Sequence, residues 1–396
     1  MDTVVEKIDL KNLDKSNWLS FKFEEIAQKI SKTVKPEEAE VDIYVGLEHL
    51  DAEDIHIRRK GVPADVKGGK LKCYPGDIIF GKRRAYQRKA AIVDFEGICS
   101  AHAFVFRANP EVIHPNLLPF FLHSDQFMHR MVDISVGGLS PTINWGDLKH
   151  QEFILPPKDQ QAQLAKLLWA MDNVIENNLI LLEKLELTER LSLAELFESG
   201  KTIKQVPLKE LYKNKLKSVN PATFNKDTVY HYSLPSFMEN HAPEKVEGGT
   251  IKSNKLLIDK DVVLFSKLNP STPKIWAVTG SSKYDRLGST EWLPVIPNND
   301  FSVNYVLAFL SSQTFMKRVM RFVQGTSNSH KRVDPKRFYE LKIPLLVESD
   351  SNNIVNCLLN FRTSKNNVDS TIRNSKSLQK SLINQVFSAS AESTAG

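Results

Sequence analysis

The stretch "GDIIFGKRR" at residues 76–84 joins a turn, a short apolar run and a cluster of positive charge. A similar stretch, "DVVLFSK", returns at residues 261–267 and places Lys267 over Lys82. One such run is typical of any strand that ends in a basic loop. Because the run occurs twice, far apart in one chain, it indicates that the whole protein contains an internal repeat.

The repeat extends over most of the chain when the sequence is shifted by about 185–190 positions. The matching pairs are "LSFKFEEI" (19–26) with "KQVPLKEL" (204–211), "CSAHAFVF" (99–106) with "GSTEWLPV" (288–295), "QFMHRMVDISVGG" (126–138) with "TFMKRVMRFVQGT" (314–326), and Pro156 with Pro344. Identity is low, but the order and spacing of the pairs agree. We therefore predict two copies of one scaffold.

The bulk composition is that of an ordinary soluble protein with more than one domain. The chain has 396 residues, 41% of them hydrophobic and 25% charged, and a formal net charge of +6. This mildly basic balance permits nucleic-acid binding. Three isolated cysteines offer neither a disulfide framework nor zinc-ligand spacing, and they fit a reducing compartment. The charged N-terminus and the absence of a long apolar run lead us to expect a cytoplasmic protein.

Each half of the repeat ends in a long helical pattern. Residues 158–200 contain no glycine or proline before Gly200, and leucine-rich rows recur every seven residues, with Leu164 and Leu168 at their start. Residues 348–388 repeat the pattern at an offset of 190, weakened by Lys365, Ser375 and Gln379. Antiparallel pairing of the two helices would bury both stripes within one molecule. The alternative is two independent domains whose helical tails dimerise with another chain.

The resulting fold prediction is α+β, with two pseudo-repeated mixed α/β globules separated by a pair of long antiparallel coiled-coil helices. Short apolar runs such as "DIIF", "AIV", "AFVF" and "EFILP" indicate strands, and residues 116–132 and 303–323 indicate helices. The predicted boundaries are a first globule at 1–157, a helix at 158–200, a second globule at 201–347, a helix at 348–388 and a disordered tail at 389–396.

A search for catalytic motifs finds no enzyme signature. The "SGKT" at 199–202 ends a helix and has Glu195 where a phosphate loop needs glycine. Asp334 with "ELK" (340–342) resembles a nuclease metal site only faintly, since its counterpart "EFI" lacks the lysine. His102, which aligns with Glu291, is interpreted as a hydrogen-bonded core or rim residue inside a strand. We therefore expect no catalytic residue, no cofactor and no metal in this chain.

Two loops in each globule carry polar and basic side chains of the kinds that contact nucleic acids. One loop follows the repeated strand and the other follows the repeated helix, and their tips differ between halves although the scaffold is the same. Arginine and lysine suit phosphates, and amides such as Asn328 suit an adenine edge. The predicted DNA-binding residues are Lys82, Arg83, Arg84, Tyr86, Arg88, Lys89, Gly138, Ser140, Thr142, Asn144, Lys267, Asn269, Lys274, Gln324, Gly325, Thr326, Asn328, His330, Lys331 and Arg332.

At this point the chain resembles the specificity subunits of Type I restriction–modification systems over nearly its whole length. The resemblance is carried by the two repeated strand motifs, by "GGLSPTINWGDLKHQEFILPP" with its partner "KRVDPKRFYELKIPLL", and by the "QQAQLAKLLWAMDNVIENN" helix. It implies two target-recognition domains, each reading one half of a split, non-palindromic DNA site across a spacer fixed by the helices. It also implies a non-catalytic chain that binds two methyltransferase subunits and restriction subunits, which would bring S-adenosylmethionine, ATP and Mg.

Other interpretations remain open at this stage. A recognition subunit of a Type IIB-like system differs only in its partner, and a two-globule coiled-coil adaptor would bind proteins rather than a DNA sequence. An enzyme is the third possibility. The sequence departs from the family pattern in its second helix, where the seam is poorer and "VESDS" replaces the "PPKDQQ" entry.

Overall fold

The structure is a computed structural model that describes residues 13–213, 215–324 and 331–388. Four of the predicted DNA-binding residues, Gly325, Thr326, Asn328 and His330, lie outside the described residues, as does the predicted tail. The chain divides into two compact units. Unit 1 comprises Met1–Asn178 with Thr371–Gly396, and unit 2 comprises Leu179–Ser370. Each long helix therefore contributes one half to each unit.

Unit 1 begins with a mixed globule of short strands and helices. Its strands are β1 (Leu19–Lys22), β2 (Ala27–Ile30), β3 (Thr33–Val34), β4 (Tyr44–Val45), β5 (Lys70–Cys73), β6 (Ile78–Gly81), β7 (Ala90–Ile92), β8 (Gly97–Cys99), β9 (Ala103–Ala108) and β10 (Glu152–Leu155). Its helices are α1 (Phe23–Ile26), α2 (Leu118–His123), α3 (Asp125–Asp133) and α4 (Trp145–Leu148), and α5 (Lys158–Ser199) starts here.

The strands of unit 1 form two sheets and one strand pair. One sheet has the order β3-β5-β8-β4, with β4 and β8 parallel, and the other has the antiparallel order β2-β9-β6-β7, while β1 pairs with β10. Successive side chains of a strand face opposite sides. In β6 the side chains of Ile78 and Phe80 therefore enter one core while Ile79 enters another, which explains its unbroken apolar run.

Unit 2 contains the corresponding elements after the second half of α5. Its strands are β11 (Thr202–Pro207), β12 (Ser218–Val219), β13 (Thr228–Tyr232), β14 (Glu244–Glu247), β15 (Lys255–Leu257), β16 (Val262–Ser266), β17 (Ile275–Val278), β18 (Asp285–Ser289), β19 (Trp292–Val295), β20 (Val323–Gln324), β21 (Arg332–Val333) and β22 (Lys342–Leu346). Its helices are α6 (Leu234–Asn240), α7 (Val303–Ser311), α8 (Gln313–Met320), α9 (Pro335–Glu340) and the first half of α10 (Glu348–Phe387).

The sheet order of unit 2 repeats that of unit 1. The order β12-β15-β18-β13-β14 matches β3-β5-β8-β4 with one added strand, and β13 is parallel to β18 as β4 is to β8. Likewise β17-β16-β19 matches β7-β6-β9, and β11 pairs with β22 as β1 pairs with β10. Val263 and Phe265 of β16 enter one core and Leu264 the other, as in β6. This repeated strand order supports the predicted duplication.

The two helical regions predicted within the globules are each divided by a serine. Ser124 separates α2 from α3 and Ser312 separates α7 from α8. Each serine has extended backbone and accepts a hydrogen bond at 3.2 Å, from the N–H of Phe127 or of Phe315. Serine is a preferred N-cap residue, so the chain turns and starts a new helix at that point. The single helices expected over 116–132 and 303–323 are thus helix pairs.

Within each unit the two long helices pack antiparallel. In unit 1, Gln379 of α10 donates from Nε2 to the Leu168 carbonyl of α5. In unit 2, Lys365 of α10 pairs with Glu189 of α5, while Asp350 accepts from the Lys201 N–H just after α5. The polar interruptions Lys365 and Gln379 therefore contribute ion-pair and hydrogen-bond contacts between the helices.

The predicted seam is buried at the ends of the helices, with one correction near the end of α5. Leu164, Leu168 and Ile175 of α5 are buried in unit 1, as are Leu382 and Val386 of α10. In unit 2 the buried positions near the end of α5 are Leu193 and Phe197, because the stripe shifts and leaves Leu196 half-buried. Helix α10 begins at Glu348, so most of the segment "VESDS" forms its first turn. The α+β fold with two long helices is as predicted.

Candidate nucleic-acid interface

Unit 1 joins its two predicted DNA-binding loops through the main chain. We call residues 82–89 loop A1 and residues 136–144 loop B1. Arg84 N–H donates to the Pro141 carbonyl at 2.7 Å, and Ile143 N–H donates to the Lys82 carbonyl at 2.9 Å. Loop B1 is closed on itself by reciprocal hydrogen bonds between Val136 and Thr142 at 3.0 and 2.9 Å. Two loops separated in sequence thus form one surface.

Unit 2 builds the same connection at the repeat-related positions. We call residues 267–274 loop A2 and residues 324–332 loop B2. Asn269 N–H donates to the Lys331 carbonyl at 3.0 Å, and Val333 N–H donates to the Lys267 carbonyl at 2.9 Å. Gln324 pairs with Arg332 where Val136 pairs with Thr142 in unit 1. The frame is made of backbone atoms in both units, so the side chains on it can differ.

Arg84 in loop A1 and Asn269 in loop A2 both adopt the left-handed backbone conformation, as does Arg88 at the other end of loop A1. The φ angle is 54° at Arg84 and 48° at Asn269, and these residues supply the N–H that reaches the B loop. A non-glycine residue with positive φ is uncommon, asparagine being among the more tolerant types. The same unusual conformation at both positions indicates that the repeat preserves the turn that aims each A loop at its B loop.

The loop tips of unit 1 expose several of the predicted side chains. Arg83 and Arg84 are exposed, and Tyr86 is 55% exposed. Gly138 and Asn144 are exposed, while Lys82, Ser140 and Thr142 are half-buried. Leu139, which the sequence prediction did not include, is 98% exposed at the tip of loop B1.

Two residues of loop A1 are engaged within the protein, contrary to the role expected from their sequence. Arg88 donates from Nη2 to Asp125 at 2.5 Å and to the His123 carbonyl at 3.1 Å, and its Nε lies 3.0 Å from Glu53. Lys89 donates from Nζ to the Leu47 carbonyl at 2.7 Å. The sequence segment contains no acid, but the fold brings acids to Arg88 from other segments. We therefore withdraw the phosphate-contact prediction for Arg88 and Lys89.

The described residues of loops A2 and B2 are less exposed than those of loops A1 and B1, and loop A2 is less basic than loop A1. Lys267, Asn269, Lys274 and Lys331 are half-buried, and burial lowers the pKa of Lys274. Arg332 is exposed, and its Nη1 lies 3.7 Å from Oε1 of Glu291. Gln324 contributes its backbone to the frame. Residues 325–330 of loop B2, which include Asn328, lie outside the described residues.

The structure adds a position that sequence reasoning misinterpreted. His102 lies in the exposed turn before β9, not inside the strand. Burial, followed by the charges of Arg83, Lys82 and Lys70, lowers its pKa, which places it beside loop A1. Its repeat partner Glu291 lies beside loop A2 and has one buried carboxylate oxygen without a hydrogen-bond partner among the described residues. The alignment of His102 with Glu291 was the available signal.

A network of charged side chains connects the globule of unit 1 to the long helices. His56 Nε2 lies 2.8 Å from Asp172 of α5, and Arg58 donates two hydrogen bonds to Glu176 of α5. The Nζ of Lys380 in α10 lies 2.6 Å from Oε1 of Glu53, the acid that also contacts Arg88. His56, Asp172 and Glu176 have the donor set of a metal site. However, Arg58 occupies both carboxylate oxygens of Glu176, so the group acts as an ion network.

Comparison with known proteins shows what the part of the chain that carries loops A1 and B1 is similar to. Residues 15–187 match the family model described as Type I restriction modification DNA specificity domain. The chain is related to Type I specificity subunits. The resemblance predicted from the sequence is thereby confirmed, and it attributes DNA recognition to the family.

Two named relatives each match part of the chain at low identity. The type I restriction enzyme EcoDI specificity subunit of Escherichia coli is 26% identical over 155 residues, which is 38% of this chain and 34% of that protein. A protein of Methanocaldococcus jannaschii described as a type I restriction enzyme MjaX specificity subunit is 25% identical over 163 residues, 39% of this chain and 38% of that protein. The aligned segments thus span little more than a third of each relative.

Solved structures show the same fold over almost the whole chain. A chain from a study of complex assembly and conformational transition of the type I R-M system covers 93% of this chain, with a TM-score of 0.54 and 17% identity. The S subunit of a Type I restriction–modification system from M. genitalium covers 96%, with a TM-score of 0.50 and 14% identity. In the described ranges, none of the helices has the length and apolar character that a bilayer span requires.

Proposed function

We propose that this chain is the DNA-specificity subunit of a restriction–modification complex and reads a bipartite, non-palindromic site, with one half-site per unit. The observation that carries the proposal is the loop frame, which occurs twice with the same backbone hydrogen bonds and with different side chains. Arg84 and Pro141 in unit 1 correspond to Asn269 and Lys331 in unit 2. One scaffold with two different sets of side chains would read two different sequences.

In this proposal the loops of the two units would contact DNA through different kinds of side chain. Loop A1 presents exposed Arg83 and Arg84, which suit phosphates and guanine edges. Loop B1 presents Ser140, Thr142 and Asn144, which can donate to or accept from bases and phosphates. In unit 2, Asn269 and Arg332 take the equivalent places. The mildly basic net charge of +6 would favour association with DNA.

The chain would also carry its catalytic partners. In this proposal methyltransferase subunits bind the long helices and bring S-adenosylmethionine, while restriction subunits bring ATP and Mg²⁺. In unit 2, α5 exposes Ile180, Leu181, Leu187 and Leu191, each between 44% and 48% exposed. Exposed apolar residues on a helix are typical of a surface that another protein covers.

Methylome sequencing tests the proposal directly. Genomic DNA from a host with the gene and from the same host lacking it would be sequenced with a method that detects methylated adenine. We expect a split adenine-methylated motif that disappears when the gene is deleted and returns when it is restored. A methylome that is identical in the two hosts, with the partner methyltransferase expressed in both, would contradict the proposal.

A further inference from the structure

Unit 1 contains two lysines that share one aromatic surface beside the loop frame. The Nζ of Lys29 in β2 lies 5.4 Å from the ring centroid of Trp145 and 5.9 Å from that of Phe104. The Nζ of Lys82, in loop A1, lies 5.2 Å from the centroid of Phe104. Two ammonium groups, one from β2 and one from the residue after β6, thus lie over the ring of Phe104, and that of Lys29 also lies over Trp145.

No acid compensates these charges in the part of the chain that the structure describes. Neither Lys29 nor Lys82 has a carboxylate oxygen within 4 Å there, although lysines elsewhere in the unit, such as Lys60, do pair with acids. Burial, and then the charge of Lys29, lower the pKa of Lys82. Like charges held together are unfavourable, and an anion that contacts both would relieve the repulsion.

The surroundings strengthen the positive potential. Arg83 is exposed in the same loop, and His102 lies close enough for the charges of Arg83, Lys82 and Lys70 to lower its pKa. The faces of the aromatic rings attract the lysine ammonium groups. Unlike a carboxylate, the rings do not neutralise the ammonium charges, so these remain available to an anion. The site is therefore suited to a negatively charged group that approaches from the loop side.

Unit 2 has a basic and aromatic site at the repeat-related place. Lys267, the counterpart of Lys82, lines a cavity of about 400 Å³ together with Lys336, Tyr212 and Tyr339. The rings of Tyr212 and Tyr339 are stacked, with centroids 4.4 Å apart and planes inclined by 9°. In unit 2 the second lysine, Lys336, comes from α9, and it lines the same cavity as Lys267 and the two tyrosine rings.

We propose that Lys29 and Lys82 together bind a backbone phosphate of DNA, and that this contact anchors loops A1 and B1 without reading sequence. The proposal rests on the proposed function and adds Lys29, Trp145 and Phe104 to the interface. Lysine ammonium acts on a phosphate as a point charge and needs no particular base. The anchor would fix the register of the duplex while the neighbouring loop side chains contact base edges.

Salt-dependent binding of Lys29→Gln tests this inference in the full chain. Fluorescence anisotropy would be measured on the duplex carrying the methylated motif and on a scrambled duplex, at several salt concentrations. Each phosphate contact contributes about 0.9 to the slope of log K against log salt concentration. We expect Lys29→Gln to weaken binding to both duplexes by the same factor and to lower the slope by up to about 0.9, since Lys82 still contacts the shared phosphate. Lys29→Arg should keep the wild-type slope.

The control is Lys166→Gln, which makes the same change in net charge on the exposed face of α5 in unit 1. It should leave the slope unchanged, and all variants should keep the wild-type melting temperature. An unchanged slope in Lys29→Gln, or loss of affinity for the motif duplex alone, would overturn the phosphate anchor and leave the proposed function intact. If the wild-type chain showed no preference for the motif duplex, the proposed function would fail and the inference with it.

Discussion

Arg88 is expected to hold loop A1 in place rather than to bind DNA. Its side chain is 18% exposed and contacts Asp125, Glu53 and the His123 carbonyl. A hydrogen bond to a charged group contributes about 1.5–3 kcal/mol, and breaking a buried ion pair costs about 3–5 kcal/mol. Glu53 and Asp125 are 42% and 36% exposed, so water would solvate them when Arg88 is removed. We therefore expect Arg88→Met to destabilise unit 1 by about 2 kcal/mol.

Thermal unfolding measures this loss. For a domain of about 150–250 residues, 1 kcal/mol shifts the melting temperature by about 2–4 °C. The transition of unit 1 should therefore fall by about 4–8 °C in Arg88→Met. The matched control is Arg83→Met in the same loop, since Arg83 is exposed and has no ion pair among the described residues. Arg83→Met should keep the melting temperature within about 2 °C and reduce the salt dependence of DNA binding.

The contrast between the two variants decides the role of Arg88. If Arg88→Met kept the wild-type melting temperature and reduced the salt slope as Arg83→Met does, Arg88 would contact DNA. The ion pairs with Glu53 and Asp125 would then be incidental to the position of loop A1. Lost stability combined with a normal salt slope would support the positioning role.

Three further predictions concern other parts of the molecule. Replacing residues 201–345 with the equivalent segment of a relative should change one half of the methylated motif, and a change in both halves would contradict one reader per unit. The pKa of His56 is raised, chiefly by its hydrogen bond to Asp172, so the stability it contributes is complete below pH about 6.5 and is lost as pH rises through the raised pKa. The difference in melting temperature between wild type and His56→Gln should therefore shrink with rising pH, and a constant difference would refute this linkage. Leu187→Glu with Leu191→Glu should abolish copurification of the methyltransferase while leaving the melting temperature within about 2 °C, because both leucines are exposed; retained copurification would exclude this surface.

The sequence was sufficient for the architecture because the architecture depends on patterns that repeat. The matched apolar runs predicted β6 and β16, and the heptad rows predicted the two long helices α5 and α10. The serine breaks were missed, since Ser124 and Ser312 lie inside continuous apolar periodicity. A single serine gives no sign in sequence that its backbone will be extended.

The candidate site was less predictable because contacts across the fold decide what a side chain does. Arg88 looks like its neighbours Arg83 and Arg84 in sequence, but the fold brings Asp125, 37 positions away, to the side chain of Arg88. Lys29 precedes loop A1 by more than 50 residues and reaches it only through the pairing of β2 with β9. Such assignments depend on three-dimensional neighbours, which one sequence without aligned relatives does not reveal.

The main-chain frame separates what a loop reads from how it is held. Because Arg84, Ile143, Asn269 and Val333 take part through their N–H groups, exchange of their side chains leaves the frame bonds available. Proline is the exception at all four positions, since it has no N–H to donate, and at Arg84 and Asn269 it also cannot adopt positive φ. A lineage could therefore acquire a new recognition sequence by point substitution at the tips, with little penalty to folding. Saturation mutagenesis of these positions should accordingly separate two outcomes. At the same position, some substitutions should alter the recognition sequence while others should abolish folding.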